Sequence, residues 1–126
     1  MESVLVVEDE SAIREMVSYN LSRAGYRVAA VGTGELALAV AELQSFDIVV
    51  LDRLLPGVDG SVVCRELRNN PKNRAVPIIM LTALSRESDV VSGLKEGADD
   101  YVTKPFSPKV LVARVQAALR QKQEDY

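Results

Sequence analysis

Three unbroken apolar runs, Val4-Leu5-Val6-Val7, Ile48-Val49-Val50-Leu51 and Ile78-Ile79-Met80-Leu81, limit what this chain can become. Each is too short for an ordinary helix, and each is rich in β-branched residues, so each reads as a strand. Side chains of a strand alternate between its two faces, so a run that is apolar throughout must be buried on both. Strands of that kind belong to a parallel sheet covered by helices on either side.

The segments between the runs carry the covering helices. Ile13, Met16, Val17 and Leu21 recur at helical spacing behind Ser11, the expected N-cap, and Gly25 stands where a C′ glycine belongs. Tyr26 to Val31 reads as a second strand, and Leu36, Ala37, Val40, Ala41 and Leu43 as the apolar face of the next helix. After the Pro56-Gly57 turn, Val63 and Leu67 mark a third helix, which Asn69-Asn70-Pro71 stops. A shorter helix is expected around Ser88 to Glu96 and a strand near Tyr101-Val102. The last helix has Ser107 as its cap, Pro108 in its first turn, and Leu111, Val115, Ala118 and Leu119 on its inner face. The pattern is one doubly wound α/β domain over residues 1–121, with 122–126 a polar tail or the start of a linker.

Several function classes fall away on composition. A 48% hydrophobic content supplies a core and excludes disorder. The net charge of -3 gives the chain no attraction to a phosphate backbone, so no direct nucleic-acid contact is expected. The chain has no histidine, which excludes Ser-His-Asp and Cys-His catalysis, histidine-ligated zinc and a phosphohistidine of its own. The single cysteine, Cys64, cannot form an internal disulfide and reads as a buried apolar filler in a reducing compartment. No segment resembles a signal peptide or a bilayer span, so a cytoplasmic location without a membrane partner is expected.

In a doubly wound sheet, ligands bind beyond the carboxyl ends of the strands, where the strand order reverses. The first strand ends in Glu8-Asp9-Glu10, the third in Asp52, the fourth in Thr82-Ala83 and the fifth in Thr103-Lys104-Pro105. Clustered carboxylates without His or Cys suit a hard cation, Mg²⁺ above all, with Mn²⁺ as its substitute. Without a cation, two such charges ~4 Å apart repel by roughly 4 kcal/mol at an effective dielectric near 20. Asp52 follows four apolar residues and opens a loop, so it should combine a rigid base with an exposed tip. A carboxylate so placed can attack phosphorus and form an aspartyl phosphate. Lys104 can then neutralise the phosphoryl oxygens as a point charge, and the Thr82 hydroxyl can hydrogen-bond one of them.

Glu8-Asp9, Asp52 with Pro56-Gly57 behind it, Thr82-Ala83 and Lys104-Pro105-Phe106 together resemble the receiver domains of two-component response regulators. The resemblance covers essentially the whole chain. Gly97-Ala98-Asp99-Asp100-Tyr101, with Lys104 to Pro108, is most similar to the winged-helix (OmpR/PhoB-type) subfamily. It implies a flavodoxin-like (βα)5 fold with a five-stranded parallel sheet of order 2-1-3-4-5. Asp52 would be the phosphoacceptor, and Asp9, Asp52 and the backbone carbonyl of Leu54 would bind Mg²⁺, with Glu8 acting directly or through water. Thr82 and Lys104 would grip the phosphoryl group, Tyr101 would switch inward with Thr82, and the Lys104-Pro105 bond would be cis. The donor would be a sensor histidine kinase or a small acyl phosphate. Such a domain is no enzyme in the usual sense, since it promotes only its own phosphorylation and slow dephosphorylation. The chain would be part of a longer regulator that controls transcription through a DNA-binding domain.

In that subfamily two receivers pair through charged residues on the fourth helix, fifth strand and fifth helix. Asp99, Asp100 and Arg114 match, whereas Val90 stands where a basic residue is usual and Val110 where an acidic one is usual. Either an apolar contact replaces that ion pair, or the receiver does not dimerise this way. Other functions fit less well. A flavin mononucleotide binder needs a Ser/Thr/Gly-rich loop where Glu8-Asp9-Glu10 stands, and more aromatics than the 5% present. An aspartyl phosphatase usually carries a D-x-D nucleophile after its first strand, which is missing here. A degenerate receiver would lack site residues, and every one expected is present.

Overall fold

The computed structural model describes residues 1–124. The strands and helices alternate as β1 (Ser3–Val7), α1 (Ser11–Arg23), β2 (Arg27–Val31), α2 (Gly34–Leu43) and β3 (Ile48–Leu51), followed by α3 (Gly60–Asn69), β4 (Ile78–Thr82), α4 (Glu87–Lys95), β5 (Asp100–Thr103) and α5 (Pro108–Glu124). The five strands form one sheet in the order β2-β1-β3-β4-β5, and every neighbouring pair is parallel. The order reverses beside β1, which pairs with β2 on one side and β3 on the other.

The apolar runs divide by alternation into two cores. Leu5, Val7, Val49, Leu51, Ile78 and Met80 point to one face and meet Ala37 and Ala41 of α2 and Val63, Cys64 and Leu67 of α3. Val4, Val6, Ile48, Val50, Ile79 and Leu81 point to the other and meet Val17 and Leu21 of α1 and Leu111, Val115 and Leu119 of α5. The sheet therefore lies between two helical layers, as wholly apolar strands require. Cys64 is fully buried and its thiol donates to the carbonyl of Glu96, which suits the filler role.

Some local expectations need correction. Ser11 is the first residue of α1 rather than its cap. Glu10 takes the cap position without a side-chain cap hydrogen bond, and its own N–H, one of the helix's free donors, donates to the Glu8 carboxylate at the strand end. Leu36 and Leu43 do not belong to the buried face of α2, being 51% and 84% exposed. The small residues Gly34, Ala37 and Ala41 make that face, and residues two apart on a helix point to nearly opposite sides. The second strand begins at Arg27 rather than Tyr26, and α4 runs one residue ahead of the expected span. Helix α5 continues through Glu124, so the expected polar tail is helical up to that residue, and 125–126 lie outside the described residues. Gly25 follows the last turn of α1 with φ 101°, the left-handed backbone expected of a C′ glycine. Among the described residues no helix is long and apolar enough to cross a membrane.

Candidate functional site

Backbone pairing fixes the site before any side chain acts. The Asp52 N–H donates to the carbonyl of Val7 at 3.0 Å, which sets Asp52 beside the end of β1. The Lys104 N–H donates to the carbonyl of Thr82 at 2.9 Å, and the Lys104-Pro105 peptide is cis. The Lys104 ammonium reaches across the strand ends, donating to Glu8 Oε1 at 2.5 Å and to Asp52 Oδ2 at 2.8 Å. Asp52 Oδ1 accepts from the Leu54 N–H at 2.9 Å. Gly60 brings the start of α3 directly against this loop, because a Cβ there would stand 2.2 Å from the Asp52 carbonyl oxygen. Any larger residue would push the loop aside.

Carboxylate oxygens of Glu8, Asp9 and Asp52 lie within 4.8 Å of one another. Glu8 and Asp52 are buried, at 2% and 5% exposure, while Asp9 is exposed. The exposed tip expected for Asp52 is thus absent: Lys104 and the Leu54 N–H engage both of its oxygens. Burial pushes the Glu8 carboxyl above its usual value, against the lowering effect of the Lys104 hydrogen bond. Burial alone would lower the Lys104 ammonium, but hydrogen bonds to Asp52 and Glu8 outweigh it and raise the value. The repulsion expected among the carboxylates is therefore already relieved in part by Lys104. An all-oxygen donor set of this kind fits Mg²⁺.

The other expected residues are placed as follows. Thr82 is fully buried, and its hydroxyl accepts from the Leu84 N–H at 3.4 Å rather than meeting Asp52 or Lys104. Tyr101 is half-buried against the α2–α3 core and donates its hydroxyl to the carbonyl of Leu84 at 2.8 Å. Burial raises its phenol, and neighbouring Arg53 partly offsets that. On the remaining face, Asp99 pairs with Arg68 at 2.9 Å and Asp100 with Arg114 at 3.2 Å, within the one chain. Val110 is exposed and Val90 half-exposed.

Two arginines at the site carry no expectation from the sequence. Arg14 of α1 donates to the carbonyls of Glu8 at 2.8 Å and Asp9 at 3.3 Å, fixing the acidic loop from beneath. Arg53 runs from the residue after Asp52 to Asp89, Ser92 and Glu96. Arg14 had a weak sequence signal, lying one helical turn beyond the acidic cluster. Arg53 had none, because its partners on α4 are more than 30 residues away along the chain.

Residues 4–116 match the family described as the response regulator receiver domain. The chain is 50% identical over 117 residues to the alkaline phosphatase synthesis transcriptional regulatory protein PhoP of Bacillus subtilis, covering 93% of this chain and 48% of that protein. It spans about half the length of the curated relatives it matches. A BeF3 activated DrrB receiver domain superposes with a TM-score of 0.86 at 40% identity, covering 95% of this chain and 98% of that one. The receiver domain of the sensor histidine kinase PA1611 from Pseudomonas aeruginosa, with a magnesium ion coordinated in its active site cleft, gives 0.87 at 36% identity, covering 94% and 97%. With its sheet order and an acidic cluster facing a lysine at the strand ends, this chain belongs to the response regulator receiver domains, most similar to those of OmpR/PhoB-type regulators.

Proposed function

We propose that residues 1–121 accept a phosphoryl group on Asp52 from the phosphohistidine of a sensor kinase, and thereby switch an output surface. The observation that carries this is the convergence of Asp52, Glu8 and Lys104 at one point, with Asp9 at its rim. An Asp52 carboxylate oxygen forms the new O–P bond as the P–N bond to the donor histidine breaks, and the leaving imidazole takes up a proton. Lys104 already touches Asp52 Oδ2, so phosphorylation at that oxygen transfers its hydrogen bond to the phosphoryl group, while Oδ1 keeps the Leu54 N–H. Thr82 turns its hydroxyl from the Leu84 N–H toward the same group, and Tyr101 moves with it. Asp9, Asp52 and the Leu54 carbonyl would hold Mg²⁺, with Glu8 direct or through water, and the ion would supply positive charge to balance the phosphoryl oxygens.

The magnesium ion in the PA1611 receiver and the transcriptional role of PhoP support the cation and an output in gene control. The test is the mass of the protein after incubation with an acyl phosphate and Mg²⁺. Wild type gains one hydroxylamine-labile phosphoryl group and Asp52→Asn gains none; equal labelling of both refutes the assignment.

Val90, Asp99, Asp100, Val110 and Arg114 form the face on which the phosphorylated domain pairs with a second copy. Arg114 is exposed and Asp100 half-buried, and they pair at the surface of the one chain, so exchanging that pair across an interface changes little energy. The apolar contact of Val90 and Val110 then carries the association. Arg114→Glu disrupts the phosphorylated dimer and Val110→Glu weakens it, without loss of labelling. Sedimentation decides it: an activated wild type that stays monomeric at tens of micromolar refutes the dimer.

A further inference from the structure

Helix α4 is held to the rest of the domain in an unusual way. Gly93 is its one buried residue, and Val91 and Leu94 are 44% and 43% exposed. A short helix with so little apolar contact is marginal, since helical stability in proteins comes mostly from burying one face. What holds it instead is largely polar and comes from one side chain. Arg53 Nη1 donates to the carbonyl of Asp89 at 2.8 Å, and Nη2 to Ser92 Oγ at 2.5 Å and to Glu96 Oε1 at 3.4 Å. Its Nε donates to Ser61 Oγ of α3 at 3.3 Å. The guanidinium thus grips both the start and the end of α4 from an anchor directly after Asp52, and only 12% of the Arg53 side chain is exposed.

The grip is also incomplete. Glu96 Oε2 is buried without a hydrogen-bond partner among the described residues, and Oε1 accepts from Arg53 only at the long distance of 3.4 Å. Oε1 also accepts from Ser92 Oγ at 3.5 Å, and a half-buried carboxylate with one buried oxygen unmet favours rearrangement over rigidity. Tyr101 closes the same cluster from the sheet side: a Cβ on Gly93 would stand 2.7 Å from its ring.

From this geometry we propose that Arg53 is a positioning residue that couples the chemical state of Asp52 to the placement of α4. Resting on Asp52 as the phosphoacceptor, the coupling is direct. A phosphoryl group adds bulk and negative charge one residue from Arg53, and the guanidinium shifts on its loop. Helix α4 then follows, because beyond Gly93 against the Tyr101 ring little apolar packing holds it in place. The Arg53 guanidinium makes its hydrogen bonds to Ser61, Asp89, Ser92 and Glu96 rather than to Asp52 or Lys104, so it acts on the output and not on the chemistry.

The probe is beryllofluoride with Mg²⁺, used on wild type, Arg53→Met and Ser92→Ala. A bound ¹⁹F resonance reports occupancy of Asp52, and hydrogen exchange of residues 87–95 reports α4. In wild type the exchange of α4 changes on binding by at least about threefold, a local-opening effect. Arg53→Met keeps the bound resonance but loses that change, and Ser92→Ala, which leaves Arg53 in place should Arg53→Met not fold, reduces it. The same fold-change in all three proteins overturns the proposal. So does an equal rise of α4 exchange with and without the probe in the variants, which marks a mere brace. A bound resonance present in wild type and lost in Arg53→Met overturns it too, by placing Arg53 in the binding site itself. Absence of any bound resonance in wild type refutes instead the assignment of Asp52.

Discussion

Two cations organise opposite ends of the sheet. Arg68 of α3 sits near the start of β4 and β5, where it donates to the carbonyls of Gly97, Arg74 and Val76 and to Asp99 Oδ2. Asp99 Oδ2 also accepts from the Ile78 N–H, so the fork closes that end of the molecule with one charge pair and otherwise neutral acceptors. At the carboxyl end, the single ammonium of Lys104 faces Glu8 and Asp52, with Asp9 beside them. Arg68 is matched to its surroundings, whereas Lys104 is outnumbered. A matched cation staples loops together. An outnumbered one leaves negative charge that a divalent ion or a change at Asp52 can exploit.

The largest expected effect is at the stapled end. Arg68→Met strips donors from several carbonyls and leaves Asp99 with the Ile78 N–H but no cation, so denaturant unfolding should show a loss of about 3 kcal/mol. That loss should be the same with and without Mg²⁺. A Mg²⁺-dependent loss would break the distinction between the two ends.

Lys104→Met should cost less, about 2 kcal/mol without metal, because Glu8 can take up a proton when its partner is gone. The sign of the pH dependence follows. A carboxyl raised in the folded state binds more protons there than in the unfolded chain, so stability falls as pH rises from the usual value of 4.5 through the folded one. The Lys104→Met deficit should therefore be larger at alkaline than at acidic pH, as paired unfolding curves would reveal. A pH-independent deficit would mean that Lys104 only packs.

Mg²⁺ at ten times its dissociation constant should stabilise wild type by about 1.4 kcal/mol. Asp9→Ala, at the exposed rim, should gain less than about 1 kcal/mol without metal, since one repelling charge is gone. It should also lose the Mg²⁺ response. Thermal melts that shift equally for wild type and Asp9→Ala would remove Asp9 from the metal set.

The smallest effect concerns Cys64, on the buried face of α3. Burial raises its thiol above the usual value of 9.0, so in the native state it should react with alkylating reagents only as fast as the domain opens. Fast labelling of native protein would show that α3 is looser than its packing implies.

How much of this was legible in the sequence differs between elements. The runs at Val4, Ile48 and Ile78 announced buried parallel strands, since nothing but a doubly covered sheet accommodates them. The residues at their ends announced the site, because chain order places strand ends together once the sheet is parallel. Helix faces were less secure. Leu36 and Leu43 looked like core, but the close approach of α2 goes through its alanines, and hydrophobicity alone does not say which of two apolar stripes packs. Ser11 looked like a cap, but α1 begins at Ser11, and Glu10 in the cap position makes no side-chain cap hydrogen bond; only its own N–H is met, by the Glu8 carboxylate.

The sequence by itself determined the layer architecture and the meeting of acidic residues with a lysine, because alternation and strand polarity are local properties that propagate to the whole sheet. Only the tertiary structure decided who pairs with whom. Lys104 bridges Glu8 and Asp52, Asp99 and Asp100 are taken up by Arg68 and Arg114, and Arg53 reaches α4. Long cationic side chains can reach many acceptors, and the choice among them depends on distances set by helices that meet only after folding. No periodicity in the chain encodes those distances.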